Sequence, residues 1–247
     1  MRETRLIMGM PITLEIIGDI DGSARDAAFQ YFNEVDARFS PYKPDSELSS
    51  MNRGELSLSA LSPEMREVLG LAELTKHETK GYFDIRRLDG SVDPSGLVKG
   101  WAIRNAARRI EALGFVNYCV EAGGDLQCRG HGQHGGSWRI GIRNPFDQSQ
   151  IVKVLAPGDC GVATSGAYVR GSHIYDPVER TSASQDIASM TVVARDVYEA
   201  DRFATAAFAM GLEGIGFVES IPGLEGYAID CKGLATMSSG MSRMAAT

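Results

Sequence analysis

The chain has 247 residues and a formal net charge of −7, with 43% apolar and 23% charged side chains. This size and balance are typical of a globular protein with one large domain or two small ones, and they exclude the disordered and fibrous classes. The negative charge argues against binding to nucleic acid, which requires a basic face. It leaves open a nucleotide that is held by backbone amides and a metal ion.

The four cysteines show no CxxC spacing, so we expect buried, reduced thiols rather than a zinc cluster or a disulfide framework. They are Cys119, Cys128, Cys160 and Cys231. The first residues contain no apolar signal segment, and no apolar run approaches the roughly 20 residues of a membrane span. We therefore expect a cytoplasmic protein that does not enter a membrane.

The first half of the chain predicts one strand and then three helices, over residues 10–17, 23–38, 63–81 and 95–113. Ser23 and Asp26 have the spacing of a capping box, and Ser62-Pro63 places a cap before a proline at the first helical position. Prolines make residues 40–46 a loop.

The second half predicts short strands with alternating apolar residues, over residues 116–121, 125–129, 137–143, 150–155, 189–194 and 226–230. A helix that ends at Gly211 precedes a shorter helical piece before Pro222, and we expect the tail from Met237 to be frayed. Because strands mostly follow one another, the sequence predicts an α+β fold, a single compact domain over residues 1–247 with a mixed, mostly antiparallel sheet packed with helices.

Residues 130–135 spell the GxGxxG pattern, but they run into a predicted strand. A dinucleotide fingerprint must open a helix, so we interpret these glycines as a hairpin tip. His131 and His134 could bind a metal there, although an exposed pair of this kind is usually inert.

The run from Ala163 to Gly166 consists of small residues and reads as a turn. Ser165 could be a nucleophile with His173 and Asp176, but alanines occupy the glycine positions of the GxSxG elbow. We favour a turn that allows the backbone to approach a ligand closely.

Two glycine-containing segments each have an ordinary and a functional interpretation. Gly123-Gly124-Asp125 is a bulge or turn, or a backbone cradle beneath a flat or phosphorylated ligand. Ser95-Gly96 at a helix start is normal capping, or an anion site.

Asp201 and Thr205 are four residues apart in a predicted helix, so their side chains share one face. Such a pair is often only a solvated surface. It also offers two hard oxygens, the ligands that Mg²⁺ prefers beside phosphate. Together with the small-residue turn and His173, the pair indicates Mg²⁺-assisted phosphoryl chemistry.

In their order along the chain, these sequence motifs resemble those of the FAD:protein FMN transferases, a flavin-transferase family first described as thiamine-biosynthesis lipoproteins. The matching phrases cover almost the whole chain: Met8-Gly9, Ser40-Pro41-Tyr42 with Ser46-Glu47-Leu48, Gly81 to Asp84, Asp93 to Trp101, Ala122 to Asp125, Thr164 to Gly166, His173 to Pro177, and Ala200-Asp201 with Ala204-Thr205.

The resemblance implies an α+β fold and a Mg²⁺-dependent enzyme that splits FAD, moves FMN onto a Thr or Ser hydroxyl of an acceptor flavoprotein and releases AMP. It implies Mg²⁺ ligands in the side chains of Asp201 and Thr205 and the backbone oxygens of Val98 and Ala204. The implied FAD site is formed by Met8, Tyr42, Tyr82, Phe83, Asp84, Ser95, Trp101, Gly124, Asp125 and Ile174.

The resemblance places His173 beside the reacting phosphate, where it either accepts the proton of the acceptor or positions a phosphate oxygen. Two departures from the family stand out: Asp84 and Asp93 are nearly adjacent, and Trp101 replaces a usual Tyr. A Mg²⁺-dependent FAD pyrophosphatase and a non-catalytic FAD-binding or carrier domain remain alternatives.

Overall fold

The computed structural model describes residues 2–166, 175–176, 181–182 and 186–246. The strands are β1 (Arg2–Ile7), β2 (Met10–Ile16), β3 (Tyr118–Ala122), β4 (Asp125–Arg129), β5 (Ile140–Arg143), β6 (Ile151–Leu155), β7 (Cys160–Gly166), β8 (Tyr175–Asp176), β9 (Thr181–Ser182), β10 (Ile187–Ala194), β11 (Glu225–Asp230) and β12 (Ala235–Met237). The α-helices are α1 (Ser23–Phe39), α2 (Glu47–Asn52), α3 (Pro63–Glu78), α4 (Ser95–Ala112), α5 (Val197–Ala209) and α6 (Gly214–Ser220).

Eight strands form one sheet in the order β1-β2-β3-β4-β7-β10-β11-β12, and β5–β6 and β8–β9 form two separate pairs. Every pairing among the described strands is antiparallel. The predicted α+β fold is therefore confirmed, with an antiparallel sheet in place of the expected mixed one.

The helices cover one face of this sheet. Inward residues of β2 and β3 join α1 and α4 in a large apolar core, and a second cluster lies between β10, α5 and α6. On the opposite face, the β5–β6 pair and the last residues of the chain bury a third cluster, which includes Cys160, Val162 and Met241. The central strands are thus buried on both faces.

Side-chain caps open three of the six described α-helices, with Ser46 at α2, Ser62 at α3 and Asp196 at α5, whereas α1, α4 and α6 begin without one. The Ser62 hydroxyl accepts a hydrogen bond from the Met65 N–H at the start of α3, as its sequence predicts. The expected capping box at Ser23 is wrong. Gly22 is the cap of α1, and the Ser23 hydroxyl donates to Asp21 instead.

Helix α5 begins in direct contact with the sheet. A Cβ atom at Gly161 in β7 would lie only 1.9 Å from the backbone nitrogen of Val197. The side chain of Gln127 in β4 accepts a hydrogen bond from that same nitrogen at 2.9 Å. The first turn of α5 is therefore fixed against two neighbouring strands.

Several segments differ from their sequence predictions or carried none, among them helix α2. Residues 160–166 are a strand rather than a turn, because β4 and β10 pair with them on both sides. Residues 2–7, which carried no prediction, form an edge strand. The tail from Met237 is packed rather than frayed: Met241 is buried, and Ala246 donates its N–H to the Val154 carbonyl.

The glycine segment 130–135 is the tip of a tight turn, as predicted. His131 and Ser137 form an isolated antiparallel bridge across it, and Gly132 accepts from the Gly135 N–H within it. No helix begins at these described glycines, so a dinucleotide fingerprint is excluded here.

Candidate active site

The start of α4 lies against the middle of α5, at a distance that only glycine allows. A Cβ atom at Gly100 would lie 2.7 Å from both the Asp201 Cβ and the Val197 carbonyl oxygen. One turn earlier, a Cβ at Gly96 would meet the Thr205 methyl at 3.3 Å. Because positions four apart share a helix face, these two glycines form the contact surface for α5.

Asp201 and Thr205 point from α5 toward α4, as their spacing predicts. The buried Asp201 carboxylate accepts a hydrogen bond at Oδ2 from the Gly100 N–H, at 2.8 Å. The Thr205 hydroxyl lies 3.4 Å from the Gly96 carbonyl oxygen and 3.4 Å from the Ser165 hydroxyl of β7. The hydroxyls of Thr205 and Ser165 and the Gly96 carbonyl thus meet between two helices and one strand, and the Asp201 carboxylate lies one helical turn along the same contact.

A buried lysine links this convergence to the sheet. The Lys99 ammonium nitrogen lies 2.5 Å from Asp125 Oδ2 and 3.6 Å from Asp201 Oδ1. Asp125 also accepts, at Oδ1, a hydrogen bond of 3.0 Å from the Thr164 N–H of β7. The ion pair of Lys99 and Asp125 therefore connects α4 to β4, β7 and α5.

Burial raises the pKa of Asp125 to about 7, and the negative charge of Asp201 adds to the shift. Lys99 and the Thr164 N–H oppose it, because both stabilise the ionised carboxyl. Sequence reasoning assigned Asp125 to FAD, but its side chain is 1% exposed and contacts the protein's own groups. Lys99 received no role, although a lysine inside an apolar helical run was a visible signal.

The loop after α3 brings aromatic and acidic residues to the start of α4. The Phe83 ring is buried and faces Gly96, where a Cβ would lie 3.5 Å from its Cε2. Asp84 forms an ion pair of 2.7 Å with Lys76, and Ser95 donates its N–H to Asp93. Phe83 and Ser95 therefore lie beside Gly96 and Thr205 at the start of α4, whereas the Asp84 carboxylate is directed to Lys76 of α3.

Arg202, which the sequence analysis missed, connects α5 to α3. Its guanidinium forms an ion pair with Glu78, donates to the Thr75 hydroxyl at 3.3 Å and lies 4.0 Å from the centre of the Phe203 ring. Because Glu78 is the last residue of α3, this contact fixes the helix end from which the loop with Phe83 departs.

Two hairpin turns lie side by side at the same end of the sheet. Gly123 and Gly124 both have positive φ, 57° and 95°, and form the two-residue turn between β3 and β4. Met8 and Gly9, also with positive φ, join β1 to β2. The Gly123 N–H donates to the Pro11 carbonyl, which keeps the two turns adjacent.

The converging oxygens fit a small, hard cation by their chemistry. The oxygens of Asp201, Thr205, Ser165 and Gly96 are the types that Mg²⁺ prefers. Among the residues that the structure describes, Gly100 contacts one carboxylate oxygen of Asp201 and Lys99 the other, and each oxygen has capacity for a further ligand. The described residues contain no group of three His, Cys, Asp or Glu side chains suited to a metal, so His131 and His134 do not form one with a third such residue.

The sequence model of the ApbE family matches residues 8–89 and 86–228, which is most of the chain. The chain belongs to the ApbE family.

Curated proteins of the ApbE family are similar to this chain in sequence. The FAD:protein FMN transferase of Vibrio cholerae is 35% identical over 157 residues, covering 60% of this chain and 46% of that protein. The protein of the same name from Escherichia coli K12 is 31% identical over 180 residues, covering 68% and 51%. The chain thus matches about half the length of these relatives.

Solved ApbE structures share the fold. The flavin transferase ApbE from Vibrio cholerae superposes with a TM-score of 0.85 at 25% identity, covering 99% of this chain and 98% of that one. The ApbE protein of Thermotoga maritima, at 19% identity, has a TM-score of 0.87 and covers 100% and 99%. The second likeness concerns the fold alone.

Within this ApbE fold, the residues predicted to form the site fall into four groups. The α4–α5 contact unites Phe83, Ser95, Asp201 and Thr205, with Val98 and Ala204 on the same two helices. Met8, Tyr82, Asp84, Gly124 and Asp125 lie in or beside the surrounding loops and turns. Trp101 and Tyr42 stand apart, and His173 and Ile174 lie outside the described residues.

Trp101 and Tyr42 differ from their expected positions for opposite reasons. The Trp101 indole is 1% exposed and packs edge-on against Phe39, with its N–H donating to Glu67. It is a core residue in this structure and not an accessible stacking surface. Tyr42 is 90% exposed in the loop before α2.

Proposed function

We propose that this chain transfers FMN from FAD to the hydroxyl of a Thr or Ser in an acceptor flavoprotein, with Mg²⁺ as the metal ion, and releases AMP. The observation that carries the proposal is the convergence of the start of α4 with Asp201 and Thr205. The names of the relatives support the activity, and the position of this convergence supports the residues assigned to it.

The convergence suits a pyrophosphate because it combines two kinds of positive potential. The N-terminus of the 18-residue helix α4 favours an anion, since the first-turn N–H groups carry partial positive charge. Mg²⁺, when bound at Asp201 and Thr205, would neutralise phosphate charge. Lys99 and Gly100 hold the Asp201 carboxylate in the position from which it would bind Mg²⁺.

In the proposed reaction, the acceptor oxygen attacks the phosphorus of the FMN half of FAD. A new phosphate ester bond forms, the bond to the AMP oxygen breaks, and the hydroxyl proton passes to a base. We assign that base to His173 from the resemblance to the family, because imidazole accepts protons near neutral pH. The candidates for orienting FAD are Phe83, Ser95 and the two hairpin turns at Met8-Gly9 and Gly123-Gly124.

The cytoplasmic location stays a prediction from the sequence. Among the described residues, none of the helices has the length and apolar character needed to cross a bilayer.

The test is mass spectrometry of the full chain incubated with FAD and Mg²⁺, with and without a candidate acceptor domain. We expect a mass gain on the acceptor that equals esterified FMN, together with AMP. Asp201→Asn should abolish both products. Glu199→Gln, on the same helix and outside the α4 contact, should leave them unchanged.

Two outcomes would replace the proposal. AMP and free FMN at the same rate with and without any acceptor would indicate a pyrophosphatase. Intact FAD that binds without AMP release would indicate a carrier domain.

A further inference from the structure

Three cysteines stand in one row across three neighbouring strands. Cys119 in β3 is the register partner of Cys128 in β4, and Cys128 is the register partner of Cys160 in β7. Residues directly opposite one another in antiparallel strands point to the same face. Because Tyr118 and Val120 face the helices, this row lies on the opposite face of the sheet, away from Asp201 and Thr205.

The first two members of the row meet the geometric requirement for a disulfide. The β3–β4 turn has two residues, so Ala122 and Asp125 form its first hydrogen-bonded pair and alternate pairs follow. By this alternation Cys119 and Cys128 form a non-hydrogen-bonded pair, whose Cα atoms lie about 4.5 Å apart. Disulfides span about 4.4–6.8 Å between Cα atoms. The two sulfur atoms are already 2.9 Å apart.

The environment separates the roles of the two thiols. Cys119 is half-buried and can meet a small reagent, whereas Cys128 is buried. The Cys128 S–H donates to the Cys119 sulfur. That hydrogen bond, followed by burial, raises the pKa of Cys128. Access therefore makes Cys119 the sulfur that a small reagent meets first, and Cys128 is the thiol that resolves the intermediate.

We propose that Cys119 and Cys128 form a redox-active dithiol that a low-molecular-weight disulfide oxidises to an intramolecular disulfide. The Cys119 thiolate attacks one sulfur of the small disulfide, and a first small thiol leaves. The Cys128 sulfur then loses its proton to water and attacks the Cys119 sulfur, and the second small thiol leaves. Two protein thiols thereby lose two protons and two electrons, and the small disulfide gains them.

Cys160 is the internal control for this assignment. It stands beside Cys128 in the same row, but it is buried and has no register contact with Cys119. The pKa is raised for both buried thiols, Cys128 and Cys160, so what sets Cys160 apart is its position in β7, two strands away from Cys119 in β3. Its removal should not affect the cross-link.

The experiment treats the folded, full chain with oxidised glutathione, followed by alkylation with N-ethylmaleimide, intact mass measurement and peptide mapping. We expect two fewer alkylated thiols than in the untreated protein, no retained glutathione and one peptide pair that joins Cys119 to Cys128. The wild-type mapping requires no substitution, so it stands even if a variant folds poorly.

The variants separate the pair from its neighbour. Cys160→Ser should give the same cross-link as the wild type. Cys128→Ser should stop at a glutathione adduct on Cys119, and Cys119→Ser should give no cross-link. A wild-type protein that keeps all its thiols, retains glutathione on Cys119, or joins Cys128 to Cys160 instead would overturn the proposal.

Discussion

The ammonium nitrogen of Lys99 lies 2.5 Å from Oδ2 of Asp125 in the interior of the protein, where the two side chains are 8% and 1% exposed. This pair joins the first turns of α4 to the sheet. The Lys99 ammonium nitrogen also lies 3.6 Å from Asp201 Oδ1, so one cation is paired with two buried carboxylates. A buried pair of this kind is costly to break, because the remaining charge keeps its desolvation penalty.

The pKa of Asp125 gives a pH dependence with a definite sign. The folded value, about 7, lies above the ordinary 3.8, so the folded state binds the proton more tightly than the unfolded state. This contribution to the free energy of unfolding is fully present below pH ~4 and is lost as the pH rises through about 7. In metal-free buffer, the stability of the wild type should therefore decline from pH 4 to 7 relative to Asp125→Asn. Urea unfolding at several pH values measures this difference, and a constant difference would contradict it.

Replacing Lys99 with methionine should destabilise the protein in a pH-dependent way. At pH 8, Asp125 must remain charged without its partner or take up a proton, and we expect a loss of about 3–5 kcal/mol in the free energy of unfolding. At pH 6 the loss should be smaller, since the carboxyl is more readily protonated. Lys232→Met, at an exposed turn, is the control and should change stability little. Equal losses at both pH values would show that the charge of Asp125 is not the cause.

The contact between α4 and α5 predicts opposite effects for two glycine substitutions. Gly100→Ala would place a Cβ 2.7 Å from the Asp201 Cβ, and we expect a loss of about 1–3 kcal/mol from overpacking. Gly70→Ala in α3 meets nothing within 4 Å and should stabilise by up to about 1 kcal/mol through helix propensity. Denaturant unfolding compares the two. Stabilisation by both would mean that α4 and α5 separate without cost.

Thr205 gives a test of the proposed metal site that does not depend on turnover. Under the proposed function, Mg²⁺ with FAD should raise the melting temperature of the wild type, because a ligand that binds only the folded state stabilises it by mass action. Thr205→Ser keeps the hydroxyl and should keep this rise. Thr205→Val removes the oxygen at nearly the same volume and should weaken it. Thermal unfolding with and without the ligands distinguishes the two variants, and an equal rise in both would remove Thr205 from the site.

Much of the site could be predicted where a local pattern was sufficient. The four-residue spacing of Asp201 and Thr205 gave their shared face, because helix periodicity is local. Strand β7 could not be predicted in this way, since its small residues resemble a turn and only pairing with β4 and β10 makes them a strand.

The ion pair of Lys99 and Asp125 was hidden for a related reason. The two residues are distant in sequence, and neither charge has a local partner that would reveal the pairing. The burial of Trp101 likewise depends on α1 and α3, which approach it only in the fold.

The backbone contact at Gly161 has a mechanical meaning for the site. Strand β7 and helix α5 touch there, at Val197, and each then runs onward to one of the hydroxyls of the site, Ser165 and Thr205. Because strand and helix backbones are rigid, this contact sets the distance between the Ser165 and Thr205 hydroxyls. A change in the apolar core away from this contact should leave the distance between the two hydroxyls unchanged. A methyl group at Gly161 would instead push β7 and α5 apart and displace one hydroxyl relative to the other.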